Sequence, residues 1–165
     1  MLDKTTCQVL EILEDNGHEA YLVGGSVRDH LLKRASSDLD ITTDAKPSEM
    51  IKIFKDYKVI PTGLKHGTIT LIIDKRSYEI TTYRHDDNYY KHRFPKSVSF
   101  ISDVKEDVKR RDFTINGLLM DKNEKIYDHV GGLKDLDNKI IKAIGDPDKR
   151  FKEDALRILR AIRFK

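Results

Sequence analysis

The chain has 165 residues, 36% of them charged and 38% hydrophobic, with a net charge of +3. That is enough for one domain with its own core, and no apolar run approaches membrane-spanning length. A single cysteine, Cys7, excludes an internal disulfide framework and a cysteine-based zinc site, and it fits a reducing, cytoplasmic setting.

Apolar residues at Leu2, Val9, Leu10, Ile12 and Leu13 predict a helix ended by Asn16-Gly17. "EAYLVG" predicts a short strand stopped by Gly24-Gly25. "SVRDHLLKR" resumes helical spacing with Ser26 as its N-cap, and "SDLDITT" follows as a strand. "KPSEMIKIFKD" predicts a helix with Pro47 near its start. "KHGTITLIID" and "RSYEITTYR" predict two strands joined by a tight turn near Asp74-Lys75. "HDDNYYKHRFPKS" predicts an irregular, mobile loop, and "DVKEDVKRRDFTINGLLMD" a helix. "KIYDH" and "KIIKAIG" predict short strands around a "GGLKDLDN" turn. "DPDKRFKEDALRILRAIRFK" predicts one helix capped by Asp146 or Asp148. The alternating order predicts an α/β domain with a mixed sheet. From Ile141 to Lys165 there are eight Lys/Arg against four Asp/Glu, so the excess of positive charge collects in this last segment.

Candidate chemistry begins with Asp38 and Asp40. In a strand, residues i and i+2 face the same side. The pair is either an incidental set of acids at an exposed strand end or a hard oxygen site for Mg²⁺. Fourteen residues earlier, "VGGSVRD" runs a strand through two glycines into a helix, with Arg28 one turn in. Glycine permits close backbone approach, and helix-start N–H groups attract anions. The pattern is neither a dinucleotide fingerprint nor a P-loop. Beside a D-x-D it suggests a triphosphate held next to metal. Glu79 lies mid-strand with Tyr78 and Ile80 pointing the other way. It is either solvated or a third carboxylate of a two-metal site. His66, His85, His92 and His129 have no metal-ligand spacing and are read as surface or structural residues.

Five ordered blocks carry a resemblance: "YLVGGSVRDHLL", "SDLDITT", "RRDFTINGLLMD", "YDHVGGLKDL" and "EDALRILRAIRF". Together they resemble the signature blocks of class II, bacterial-type CCA-adding tRNA nucleotidyltransferases, which bacterial poly(A) polymerases share. The resemblance implies a polymerase-β-like nucleotidyltransferase head over 1–145 and the start of a helical neck over 146–165, with body and tail outside this chain. It implies metal binding by Asp38 and Asp40, with Mg²⁺ as cofactor, and support from Glu79. It implies nucleotide contacts by Gly25, Arg28, Arg111 and Asn116, with Asp112 in a related structural or sugar-contacting role. It implies CTP and ATP as substrates, the tRNA 3′ end as acceptor, and no membrane partner. The same blocks leave room for a poly(A) polymerase, a CC-only or A-only enzyme, or a nucleotide-binding module with little turnover. Two departures stand out. Gly117 replaces a usual alanine, a minor packing change. In the loop, Tyr90, Arg93 and Pro95 are kept, while Asn88 and Phe94 stand where glycine and histidine are common.

The resemblance also points to Asp154 and Arg157 as base readers, and the chemistry agrees. Cytosine and adenine each present an amino donor beside an unprotonated ring nitrogen; uracil and guanine present the reverse. A carboxylate accepts only and a guanidinium donates only, so an Asp–Arg pair matches C and A. At i, i+3 on a helix the two would be neighbours, flanking an apolar stripe of Phe151, Ala155, Ile158 and Ile162; without the other blocks the spacing reads equally as a plain surface ion pair. Arg160 and Arg163 rotate progressively away from Asp154. They are expected to reach phosphate, ribose or RNA instead.

Overall fold

The computed structural model describes residues 2–36, 39–90 and 94–164. Helix α1 (Lys4–Asp15) starts where Asp3 accepts the backbone N–H of Thr6, and it ends at Asn16 before Gly17 in a left-handed conformation. The strands are β1 (Ala20–Val23), β2 (Leu39–Thr43), β3 (Lys58–Gly63), β4 (Thr68–Ile73), β5 (Arg76–Thr82), β8 (Leu119–Met120) and β9 (Ile126–Tyr127). They form a mixed sheet in the order β3-β4-β5-β2-β1-β8-β9, in which β2 and β5 run parallel and the other pairs antiparallel. Helices α2 (Gly25–Leu31) and α3 (Pro47–Ile53) link the early strands. Asp74 and Lys75, both at positive φ, make the tight β4–β5 turn. The mixed α/β class expected from the order of elements is the class observed.

Strand pleat decides which side chains meet. Ile41, Tyr78 and Ile80 enter the main core with Val9, Leu10 and Leu13 of α1 and Met50 and Phe54 of the α3 region. A second, smaller cluster joins Val23, Val108, Leu119 and Ile144. Leu22 belongs to the first cluster and its neighbour Val23 to the second, so the two cores lie on opposite faces of the sheet. Asp40, Thr42 and Glu79 must face the side opposite the main core.

Several expected elements differ. The segment expected as a mobile loop forms an antiparallel hairpin, β6 (Arg84–Tyr90) with β7 (Phe94–Phe100). Its base is pinned by Tyr83 N–H to Thr43 C=O at 2.7 Å and Ile101 N–H to Tyr83 C=O at 3.0 Å. Arg93 lies outside the described residues. Strand β3, "KVIPTG", had no predicted counterpart; a register shift between Ile60 and Gly63 lets its proline sit at the sheet edge.

The expected long helix after Asp103 stops at α4 (Val104–Lys109), followed by a 3₁₀ turn at Thr114–Asn116 and then β8. Pairing across the fold ends it: Thr114 N–H donates to Lys142 C=O and Ile144 N–H to Asp112 C=O. The expected strand "KIIKAIG" is only a bridge from Ala143 to Phe113. The expected "GGLKDLDN" turn is instead helix α5 (Gly132–Asp137). The Asp128 carboxylate starts it by accepting N–H groups from Val130, Gly131, Gly132 and Leu133, and those bonds hold its pKa below the ordinary carboxylate value despite partial burial.

The C-terminal segment is two helices, α6 (Pro147–Glu153) and α7 (Leu156–Phe164). Asp146 caps the first. Asp154 is extended, with φ −142° and ψ 105°, and its side chain accepts the Leu156 N–H at 3.0 Å. A short acid that bonds its own backbone two residues on competes with helix continuation, and here it starts the next helix. Of the apolar stripe expected on this segment, Ala155, Ile158 and Ile162 are exposed, as is the neighbouring Leu159. Among the described residues, no helix is long and apolar enough to cross a membrane.

Candidate functional site

The site starts where β1 ends. Gly24 has φ 76° and ψ −136°, a conformation that essentially only glycine holds, and the expected cap Ser26 instead donates to Val23 C=O. A Cβ on Gly24 would sit 3.6 Å from Asp40 Oδ2, so the glycine turn packs directly against this carboxylate. Asp40 pairs with Glu79 in the parallel register of β2 and β5, and the pleat puts both on one face. Glu79 is exposed and is not part of the cleft wall; Asp40 is. Asp38 lies outside the described residues.

An open cleft of about 1390 Å³ runs from this turn to α7. Gly25, Arg28, Arg111, Asn116, Asp154 and Arg157 line it, as do Arg160 and Arg163. Sequence elements more than a hundred residues apart therefore share one wall.

Arg28 is fixed by three nitrogens. Nε and Nη2 donate to Asp29 Oδ1 at 3.0 and 2.8 Å, and Nη1 donates to Asn116 Oδ1 at 2.8 Å. Asn116 is buried, and its amide donates to Asp112 Oδ1 at 3.2 Å. Asp112 Oδ2 accepts Arg160 Nε at 2.7 Å. In this geometry Asn116 and Asp112 hold arginines.

Arg111 belongs to a buried charge cluster. Asp107, fully buried, accepts Arg111 Nη2 at 3.0 Å, Arg110 Nε at 2.8 Å, the Arg84 N–H at 3.1 Å and the Thr42 hydroxyl at 3.2 Å. Burial pushes its pKa up, but Arg111 and Arg110, by charge and hydrogen bonds, outweigh that and bring it down to about 2. The nearby Arg84 has its pKa lowered, by burial first and then by the charge of Arg110, against the pull of Asp86 and Asp107. Among the described residues, the buried Nε of Arg111 has no hydrogen-bond acceptor.

Asp154 and Arg157 do not sit side by side on one helix face as expected, because the helix breaks between them. Arg157 is buried: its Nη1 donates to Arg150 C=O and Glu153 Oε2, each at 2.9 Å, and Nη2 to Arg110 C=O at 3.2 Å. Arg163 lies over the Phe164 ring, with 5.2 Å from its Cζ to the centroid. Among the described residues, no group of three or more His, Cys, Asp or Glu is placed to hold a metal. Sequence reasoning singled out the Gly24-Gly25 pair but not Asp29, Asp107 or Phe164. The glycine pair was visible, but which member needed positive φ was not.

A profile of the poly A polymerase head domain matches residues 20–142. The CCA-adding enzyme of Lactobacillus helveticus (strain DPC 4571) is 54% identical over 156 residues, 94% of this chain and 39% of that relative. A crystal structure of the Bacillus stearothermophilus CCA-adding enzyme in complex with CTP superposes with a TM-score of 0.86 at 42% identity, over 96% of this chain and 38% of that one. A tRNA nucleotidyltransferase complexed with a primer tRNA and an incoming ATP analog gives 0.75 at 34% identity, over 94% and 44% of the two chains. The chain thus spans well under half the length of these relatives.

Proposed function

Because the chain belongs to the family of poly A polymerase head domains, we propose that it is the catalytic head of a template-independent tRNA nucleotidyltransferase that adds CMP and AMP to build or repair a 3′ CCA end. The observation that carries this is one cleft that holds a carboxylate, Asp40, against a glycine turn, together with two arginines, Arg28 and Arg111. Anionic triphosphate and a hard cation need those two charge types within a few ångströms of each other. The relatives whose structures contain CTP, or a primer tRNA with an ATP analog, support the same assignment.

In the proposed reaction the terminal ribose hydroxyl of the RNA attacks the α-phosphorus of CTP or ATP. The new P–O bond forms as the α–β bridging bond breaks, the hydroxyl proton passes to solvent, and pyrophosphate leaves with the bridging bond's electron pair. Asp38 and Asp40 would hold Mg²⁺, which when bound would offset negative charge on the triphosphate and make the attacking hydroxyl easier to deprotonate. Glu79, in register with Asp40, supplies a further negative charge on that sheet face. Gly25 opens α2 beside the phosphates, and Arg28 and Arg111 bind their oxygens. Asp112 and Asn116 keep Arg28 and Arg160 oriented. Asp154 and Arg157 read the amino group and ring nitrogen shared by C and A. An incoming base edge competes with Glu153 and two carbonyls for the Arg157 guanidinium. Arg160 and Arg163 serve phosphate, ribose or RNA.

The test replaces the head of the Lactobacillus helveticus relative with this chain. The chimera is given tRNA ending before CCA and each labelled nucleotide. CMP then AMP incorporation that stops at CCA supports the proposal. AMP alone in long tails indicates poly(A) synthesis, and tight CTP binding without incorporation indicates a binding module; either outcome overturns it.

A further inference from the structure

The Phe164 ring occupies a place that its residue type does not announce. It closes α7, lines the cleft, and stands with its centroid 4.6 Å from Arg28 Cζ. Arg160, four residues earlier on the same helix, lies 5.7 Å from the same centroid. The ring also meets Phe113 edge-on, with centroids 6.1 Å apart. The Arg28 guanidinium is gripped along its edge by Asp29 and Asn116, and its Cζ lies over the ring. An arginine face over an aromatic ring is attracted by the ring's quadrupole and keeps its remaining N–H groups in plane.

The contacts close on themselves. Arg28 donates to Asn116, Asn116 to Asp112, and Asp112 accepts Arg160. Arg160 and Phe164 share α7, and Phe164 returns to Arg28. Removing the ring opens this circuit at the one contact with no hydrogen bond to restore it.

We propose that Phe164 is a positioning residue that sets the plane of the Arg28 guanidinium toward the triphosphate and ties it to α7. This rests on the nucleotide reading given above. The ring touches neither reacting atoms nor, in this role, the base. Its loss weakens recognition of the β- and γ-phosphates while leaving recognition of the nucleoside monophosphate intact.

The experiment measures CTP and CMP binding to this chain with Mg²⁺ present, by titration calorimetry. Wild type binds CTP more tightly than CMP. Phe164→Leu lowers CTP affinity roughly two- to five-fold, the scale of one partly exposed cation–π contact, and leaves CMP unchanged. Phe164→Tyr retains the wild-type ratio. Phe164→Met, unbranched and without a ring, repeats the loss and replaces the leucine variant if that one does not fold. Combined with Arg28→Lys, the leucine variant adds no further loss, because both act through one guanidinium. An unchanged CTP-to-CMP ratio in both ringless variants, or equal weakening of both ligands, overturns the inference alone. Failure of wild type to prefer CTP overturns the triphosphate reading and the inference with it. In the ligand-free chain the Arg28 Nε–H resonance is expected to lose its ring-current shift in Phe164→Leu; a resonance that stays put refutes the stacking.

Discussion

Replacing Asp107 by asparagine removes one negative charge that four donors share. The carboxylate is fully buried and faces Arg110, Arg111, the Arg84 N–H and the Thr42 hydroxyl. Its pKa of about 2, against an ordinary 3.8, is a stability statement. A depressed folded-state pKa means that the folded protein binds this proton more weakly than the unfolded chain. The stabilisation is therefore complete above about pH 4 and is lost as pH falls through about 2. The shift corresponds to about 2 kcal/mol of stability near neutral pH, with about half gone by pH 3. An asparagine at 107 cannot balance two arginines, and stranding buried charge costs about 3–5 kcal/mol. Taking about 3 kcal/mol and 2–4 °C per kcal/mol at this chain length, the expected fall in Tm is about 6–12 °C at pH 7. Thermal melts of wild type and Asp107→Asn at pH 7, 5 and 3 test this. The gap between them should shrink between pH 5 and pH 3. A variant that melts within 2 °C of wild type at pH 7, or a gap that ignores pH, would show that the Asp107 cluster does not hold β2, β6 and α4 together.

The other expectations concern the glycine turn, Asp40 and two packed glycines. Asp40→Asn should abolish nucleotide incorporation in the chimera; incorporation near the wild-type rate would discard Asp40 as a metal ligand. Gly24→Ala should cost about 1–3 kcal/mol, because alanine cannot hold φ 76° with ψ −136° without strain, and should weaken CTP binding by moving the turn beside Asp40; an unchanged urea midpoint would contradict the strain. In Gly117→Ala the Cβ would meet Val130 Cγ2 at 2.8 Å, Ile144 Cδ1 at 3.1 Å and Val108 Cγ1 at 3.2 Å. Overpacking by about 1 kcal/mol is expected, and a raised Tm would show that those methyl groups move aside freely. Gly132→Ala should be far worse, since its Cβ would run into Thr114 C=O of the 3₁₀ turn; a soluble variant with wild-type melting would refute that contact.

Much of the molecule is local in origin. Alternation in β4 and β5, helical spacing in α1, and the Asp74-Lys75 turn follow from side-chain period and turn chemistry acting over a few residues. The i, i+2 spacing of Asp38 and Asp40, the Gly-Gly break and the five ordered blocks carry the expectation of a phosphate and metal site. Local sequence could not show where α4 ends, because its end depends on a bridge between Phe113 and Ala143, thirty residues apart in the chain. Nor could it show the break at Asp154, where one carboxylate chooses between continuing a helix and capping the next.

The residue types, the carboxylate spacing and the family blocks are properties of the sequence by itself, because they need only the chain's order and the alternation of a strand. Tertiary structure alone decided that Gly24 rather than Gly25 carries the strained turn against Asp40. It also decided that Asp107 ties two arginines to β2, and that Phe164 covers Arg28. Those are contacts between segments far apart in sequence, and their geometry follows from which faces the sheet and helices bury together.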